Sequence, residues 1–106
     1  MSRKPAIDVP YKKIEAFCRK WKVSELSLFG SVLRKDFDPA SDVDVLVSFL
    51  PGAKPSLFDR VRMEEELSEL FGRQVDLVQK STIERSENYI RRRYILDSRK
   101  VIYVER

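Results

Sequence analysis

The order of apolar and polar positions along the chain predicts alternating helices and strands. Ile14, Phe17, Cys18 and Trp21 follow Pro10 at spacings of three, one and three, which predicts an amphipathic helix over roughly residues 10–21 with that stripe facing a core. The segment "ELSLFGS" predicts a short strand ending at Gly30, and "SVLRKDF" a helical turn or short helix opening at Ser31. Asp38-Pro39 in "FDPAS" is a breaker pair and predicts a turn; "DVDVLVSF" after it is a second strand. Beyond the loop "LPGAKPS", Ser56 caps a helix that starts at Leu57 and is closed by Gly72. Its apolar positions Leu57, Phe58, Val61, Met63, Leu67, Leu70 and Phe71 form a drifting stripe, as expected of a long helix lying across a sheet, and the acidic run Glu64 to Glu66 reads as a solvated face. "RQVDLVQ" predicts a third strand, and "NYIRRRYIL" a last helix with Tyr89, Ile90, Tyr94 and Ile95 inward. "KVIYVE" is either a terminal strand or an extended tail. This order predicts an α+β fold, a small mixed β-sheet with helices packed against it.

Length and charge narrow the picture. The 106 residues suit one domain spanning 1–106, with residues 1–9 expected to be flexible, because two cores would each be too small to stand alone. With 42% hydrophobic and 36% charged residues the composition is that of a globular chain, and no apolar run is long enough to cross a bilayer. "MSRKPAIDVPYKK" has no apolar signal core and Cys18 has no internal disulfide partner, so the expected location is cytoplasmic. Cys18 lies on the inward stripe of its helix and is expected to be an inert packed thiol. The chain has no histidine, which removes the commonest general base and the usual nitrogen ligand of zinc. Chemistry must then run on carboxylates, hydroxyls and cations, and any metal should be a hard one, magnesium or manganese. The net charge of +4 is compatible with an anionic partner and equally with a solvated basic surface.

The candidate chemistry starts at the mouth of the second strand. Alternate residues of a strand share a side, so Asp42 and Asp44 project together about 6.6 Å apart at 3.3 Å of rise per residue, with Val43, Val45 and Val47 on the other face. Two such carboxylates raise each other's pKa unless a cation lies between them. Taken alone, this pair reads first as a turn or strand-start residue followed by an edge-strand charge that blocks aggregation, and it is the upstream residues that shift the reading. Asp76 repeats the arrangement in "VDLV", and if the second and third strands are neighbours three carboxylates converge, the ligand set of a two-metal phosphoryl-transfer site. Upstream, Gly30 and Ser31 offer a close backbone approach, free N–H groups and a hydroxyl to a phosphate, with Arg34 one helical turn on.

Gly30-Ser31, ten intervening residues and Asp42-x-Asp44 resemble the signature of the DNA polymerase β-like nucleotidyltransferases, and Arg34 and Ser41 stand where the minimal nucleotidyltransferase (MNT) domains of that superfamily usually have them. "SLFDRVRMEEELSELFGRQVDLV" and "YIRRRYILDSRKVIYVE" are similar to the helix, third-carboxylate strand and C-terminal end of that subfamily; "GSVLRKDF" lacks the second arginine or glycine many members carry, leaving Arg34 as the main cation there. The resemblance implies a palm-like fold that moves a nucleoside monophosphate, AMP from ATP, to a hydroxyl with release of pyrophosphate. It implies that Gly30, Ser31, Arg34 and Ser41 bind the nucleotide, and that Asp42, Asp44 and Asp76 are catalytic and hold two Mg2+ (or Mn2+) ions. It also implies a partner in a hetero-oligomer: many MNT proteins are antitoxins of HEPN-domain ribonuclease toxins, and some AMPylate a tyrosine of the toxin. The alternatives are a non-catalytic antitoxin that binds through basic residues such as Arg91 to Arg93, Arg99 and Lys100, or transfer to a small molecule or RNA. No separate nucleic-acid domain is present in the sequence, which argues against direct nucleic-acid binding.

Overall fold

A computed structural model describes residues 7–33 and 41–105. Over these residues the chain forms α1 (Tyr11–Trp21), β1 (Val23–Phe29), a 3-10 turn (Gly30–Leu33), β2 (Val43–Phe49), α2 (Leu57–Phe71), β3 (Val75–Gln79), α3 (Lys80–Glu84), α4 (Tyr89–Ser98) and β4 (Lys100–Val104). The strands form one mixed sheet in the order β3-β2-β1-β4, with β1 antiparallel to β2 and β4, and β2 parallel to β3 across the α2 crossover. The expected α+β class with a mixed sheet is therefore observed, and "KVIYVE" resolves as a strand. The Asp38-Pro39 turn and Arg34 lie outside the described residues. Among the described residues no helix is long and apolar enough to cross a membrane.

One face of the sheet carries the main core. Val43, Val45 and Val47 of β2, Leu26 and Leu28 of β1 and Val75 of β3 are all essentially inaccessible, covered by Ile14, Phe17 and Cys18 of α1 and Met63 and Leu67 of α2. Each fully buried Val or Leu contributes about 1.5–3 kcal/mol relative to exposure, so this face fixes β2 firmly. Ile7 and Val9 pack against the same core.

α2 begins in a capping box, in which Ser56 accepts from the Asp59 N–H and Asp59 accepts from the Ser56 N–H, and it ends at Gly72 in the left-handed region. Its inward stripe is narrower than the apolar pattern predicts. Met63 and Leu67 are buried and Leu70 and Phe71 partly so, but Leu57, Phe58 and Val61 are exposed. At 3.6 residues per turn, Phe58 and Val61 stand on the far side of the helix from Met63 and Leu67. The acidic run is not simply a solvated face either. Glu66 accepts from Lys20 (2.9 Å) and the Trp21 indole (3.1 Å), and Glu64 accepts from the Leu77 N–H (3.0 Å), while Glu65 alone of the three is fully exposed.

The opposite face of the sheet is covered by a second, smaller cluster of Phe29, Leu46, Ile83 and Ile95, with Val78 and Leu96 against it. α3 supplies Ile83; this one-turn helix is too short to carry a periodic signal and was not predicted. α4 buries Ile95, while Tyr89, Ile90 and Tyr94, expected inward, are 60%, 69% and 52% exposed. Ile95, with Leu96 beside it, is the part of α4 that reaches this small cluster. Glu25 of β1 accepts from Lys80 (3.5 Å) and Arg99 (3.2 Å), and Arg99 also donates to the Leu96 carbonyl, which ties α3 and the end of α4 to the sheet.

Candidate active site

The strand register assembles the acidic residues at one end of the sheet. Asp44 is paired across the antiparallel ladder with Phe29 and across the parallel ladder with Asp76, so the three share one face. Asp42 stands immediately ahead of β2 and Ser41 at the bend before it. Asp42 and Asp76 are exposed, whereas Asp44 is partly buried between its neighbours. Burial pushes the Asp44 carboxyl up from its ordinary value, and the charges of Asp76 and then Asp42 push it further; the Arg91 guanidinium opposes them.

Gly30 is held hard against this cluster. It has φ +76, and a Cβ at this position would lie 2.5 Å from Oδ2 of Asp44, so both the backbone conformation and the contact require glycine. The turn it opens is anchored from below, since Val32 and Leu33 are buried while Gly30 and Ser31 remain partly accessible. "GSVL" is thus read in two halves: the apolar pair fixes the turn, and the small pair is presented beside Asp44.

β3 is an edge strand, and α2 holds it in place through side chains the sequence did not single out. Ser68 accepts from the Val75 N–H (3.0 Å) while donating to the Glu64 carbonyl, and Glu64 accepts from the Leu77 N–H. The two N–H groups flanking Asp76 are thereby satisfied, which fixes the register that puts Asp76 beside Asp44. Only knowledge of how α2 crosses β3 could have identified Glu64 and Ser68. Arg91 was likewise hidden in a run of three arginines, because its direction depends on which row of α4 meets the sheet.

Among the described residues no three acidic or cysteine side chains close into a ready-made metal cage. The donors that do meet here are carboxylate oxygens: Asp44 stands beside Asp76 across the parallel ladder, and Asp42 precedes Asp44 by two residues. That set fits a hard divalent cation of the magnesium type, which is held by one or two carboxylates and completes its shell with substrate phosphate oxygens and water.

The structure thus brings together at this end of the sheet a glycine-serine turn, an Asp-x-Asp pair and a third aspartate on the adjoining parallel strand. The chain belongs to the nucleotidyltransferase family: the model of the nucleotidyltransferase domain matches residues 11–102. It is similar to a candidate protein adenylyltransferase of Methanocaldococcus jannaschii, 39% identical over 72 residues that make up 68% of this chain and 75% of the relative. It is also similar to the protein adenylyltransferase MntA of Thermococcus cleftensis, 42% identical over 64 residues, 60% of this chain and 63% of the relative. Among solved structures it resembles a toxin–antitoxin crystal structure with AMP-PNP, at TM-score 0.66 and 20% identity over 92% of this chain and 76% of the other. A tri-AMPylated Shewanella oneidensis HEPN toxin in complex with MNT antitoxin gives TM-score 0.56 and 22% identity over 90% and 70%. These two structural likenesses speak for the fold. The MNT-type resemblance expected from the Gly-Ser and Asp-x-Asp motif is thus borne out at the level of family.

Proposed function

We propose that this chain is an antitoxin enzyme that transfers AMP from ATP to a tyrosine hydroxyl of a cognate HEPN ribonuclease toxin. The observation that carries the reading is the packing of Gly30 against Asp44 in register with Asp76, which puts the glycine-serine turn directly beside the carboxylates. A protein acceptor is supported by the similarity to protein adenylyltransferases and by the structural likeness to an MNT antitoxin bound to an AMPylated HEPN toxin.

In this reading Gly30 and Ser31 hold the triphosphate through backbone N–H groups and the serine hydroxyl, with Ser41 and Arg34 as further nucleotide contacts. Asp42, Asp44 and Asp76 would hold magnesium, which when bound neutralises phosphate charge and acidifies the acceptor hydroxyl. The acceptor oxygen forms the new bond to the α-phosphorus as the bond from that phosphorus to the α–β bridging oxygen breaks. Pyrophosphate leaves, and the hydroxyl proton passes to a carboxylate of the cluster or to water. The small apolar cluster beneath Asp44 keeps the strand rigid during this exchange, and a bulky charged adenylyl group on the toxin would obstruct RNA phosphates by repulsion and size.

Incubation with labelled ATP, magnesium and a cognate HEPN toxin should label a toxin tyrosine, and Asp42→Ala/Asp44→Ala should not. Absence of label with the wild type, or undiminished label with the double variant, would defeat the proposal. Full neutralisation of the toxin in cells by the double variant would instead establish a non-catalytic binding antitoxin.

A further inference from the structure

The three consecutive arginines of α4 have three different surroundings. Arg93 pairs with Asp97 at 3.4 Å on the outer side of the helix. Arg92 donates to the backbone carbonyls of Glu84 (3.5 Å) and Ser86 (3.0 Å), bracing the loop between α3 and α4. The Arg91 backbone N–H donates to the Asn88 side chain that caps α4 (3.2 Å), but its guanidinium makes no hydrogen bond or ion pair among the described residues.

Arg91 is nevertheless on the inward side. It lies four residues before Ile95, and residues at that spacing share a helix face. Ile95 is buried against Phe29 and Leu46, and Phe29 is the cross-strand neighbour of Asp44. Helical side chains lean toward the N-terminus, so the guanidinium is carried past the edge of the apolar cluster toward the carboxylates. Yet it does not close an ion pair with Asp44. An exposed, unpaired fork of donors is thus carried on the helix that packs over the Asp44 face of the sheet.

We infer that Arg91 is a nucleotide-binding residue that grips phosphate oxygens of the bound nucleoside triphosphate from the α4 side. This rests on the nucleotidyltransferase reading above. The guanidinium suits the task because its planar donors meet two phosphate oxygens at once, and because it balances negative charge that the carboxylates would otherwise concentrate beside a polyanion. Arg91 also gives α4 a reason to be docked by Ile95 at this position along the sheet.

The test compares wild type, Arg91→Gln, Arg91→Lys and, as a control on the outer face, Arg93→Gln. Binding of MgATP and of magnesium tripolyphosphate is measured by calorimetry, alongside thermal melts and the KM for ATP in toxin labelling. Arg91→Gln should weaken both ligands about tenfold, on the order of the loss of one charge-assisted contact. It should raise KM more than it lowers kcat and leave the melt unchanged. Arg91→Lys should fall between, keeping the charge without the fork, and Arg93→Gln should match wild type. Unchanged affinity for both ligands in Arg91→Gln, with wild type binding normally, overturns the inference and leaves the functional proposal standing. Lost labelling with ATP affinity unchanged also overturns it, since Arg91 would then serve the acceptor. A lowered melt in Arg91→Gln and Arg91→Lys alike would assign Arg91 to the fold and overturn it too. A wild type that binds neither ligand defeats both readings together.

Discussion

Replacing Asp44 by asparagine should make the protein more stable while it abolishes transfer. Asp44 is partly buried, no described residue donates a hydrogen bond to it, and its registered neighbour Asp76 bears the same charge. Adjacent strands lie about 4.8 Å apart, which puts the two carboxylates on the order of 5–6 Å from each other. Coulomb's law at an effective dielectric between about 20 and 80 then gives a repulsion of roughly 0.7–3 kcal/mol, with the lower part of the range favoured by the exposure of Asp76. Asparagine keeps the shape and removes that term. In metal-free buffer near pH 7 the variant should melt a few degrees above wild type, since about 1 kcal/mol corresponds to roughly 4–8 °C in a chain of this size. The difference should depend on pH. A carboxyl raised in the folded state makes that state bind protons more tightly than the unfolded chain does. Wild-type stability therefore falls as pH rises from the ordinary carboxylate value of 3.8 through the raised one, and the gap to Asp44→Asn opens over that window. Adding magnesium and ATP should stabilise wild type and not the variant, reversing the order. A variant less stable than wild type without metal, or equally stabilised by ligand, would refute the claim that burial and repulsion from Asp76 and Asp42 outweigh the Arg91 charge at this carboxylate.

Gly30→Ala should destabilise by about 1–3 kcal/mol in urea titration, because a side chain is strained at this φ and its Cβ must displace the Asp44 carboxylate; transfer should fall more steeply than stability, and a fully active variant would contradict the contact. Burial alone would raise the Glu66 carboxyl, but hydrogen bonds from Lys20 and Trp21, helped by the charges of Lys20 and Arg62, hold it below the ordinary 4.5. Its stabilisation is complete above that value and lost as pH falls through the lowered one, so the acid limb of a denaturation curve should flatten in Glu66→Gln. Burial, with a lesser contribution from the Glu105 charge, pushes the Cys18 thiol up to about 12, so a thiol reagent at pH 8 should react only after denaturant is added; rapid reaction of the native protein would contradict the packing.

The sequence by itself determined the local elements and the chemistry available. Period-2 runs of valine made β2 and β3, the Ser56 and Gly72 signals bounded α2 to the residue, and the lack of histidine confined any catalysis to oxygen donors. The spacing of Gly30, Ser31, Asp42 and Asp44 was legible because a turn and the start of one strand are short-range features. Tertiary structure decided which strands adjoin, and therefore that Asp76 stands beside Asp44, since strand pairing is fixed by contacts far apart in the chain. It also decided which row of each long helix faces inward. α2 has apolar residues nearly all round, and only docking against the sheet separates buried Met63 and Leu67 from exposed Phe58 and Val61. α4 is arginine-rich with scattered apolar residues, and the narrow second cluster selected Ile95 over Tyr89, Ile90 and Tyr94. The same selection sets the direction of Arg91, because burial of one side chain fixes the direction of those a turn away, while the identity of the row buried depends on the partner surface.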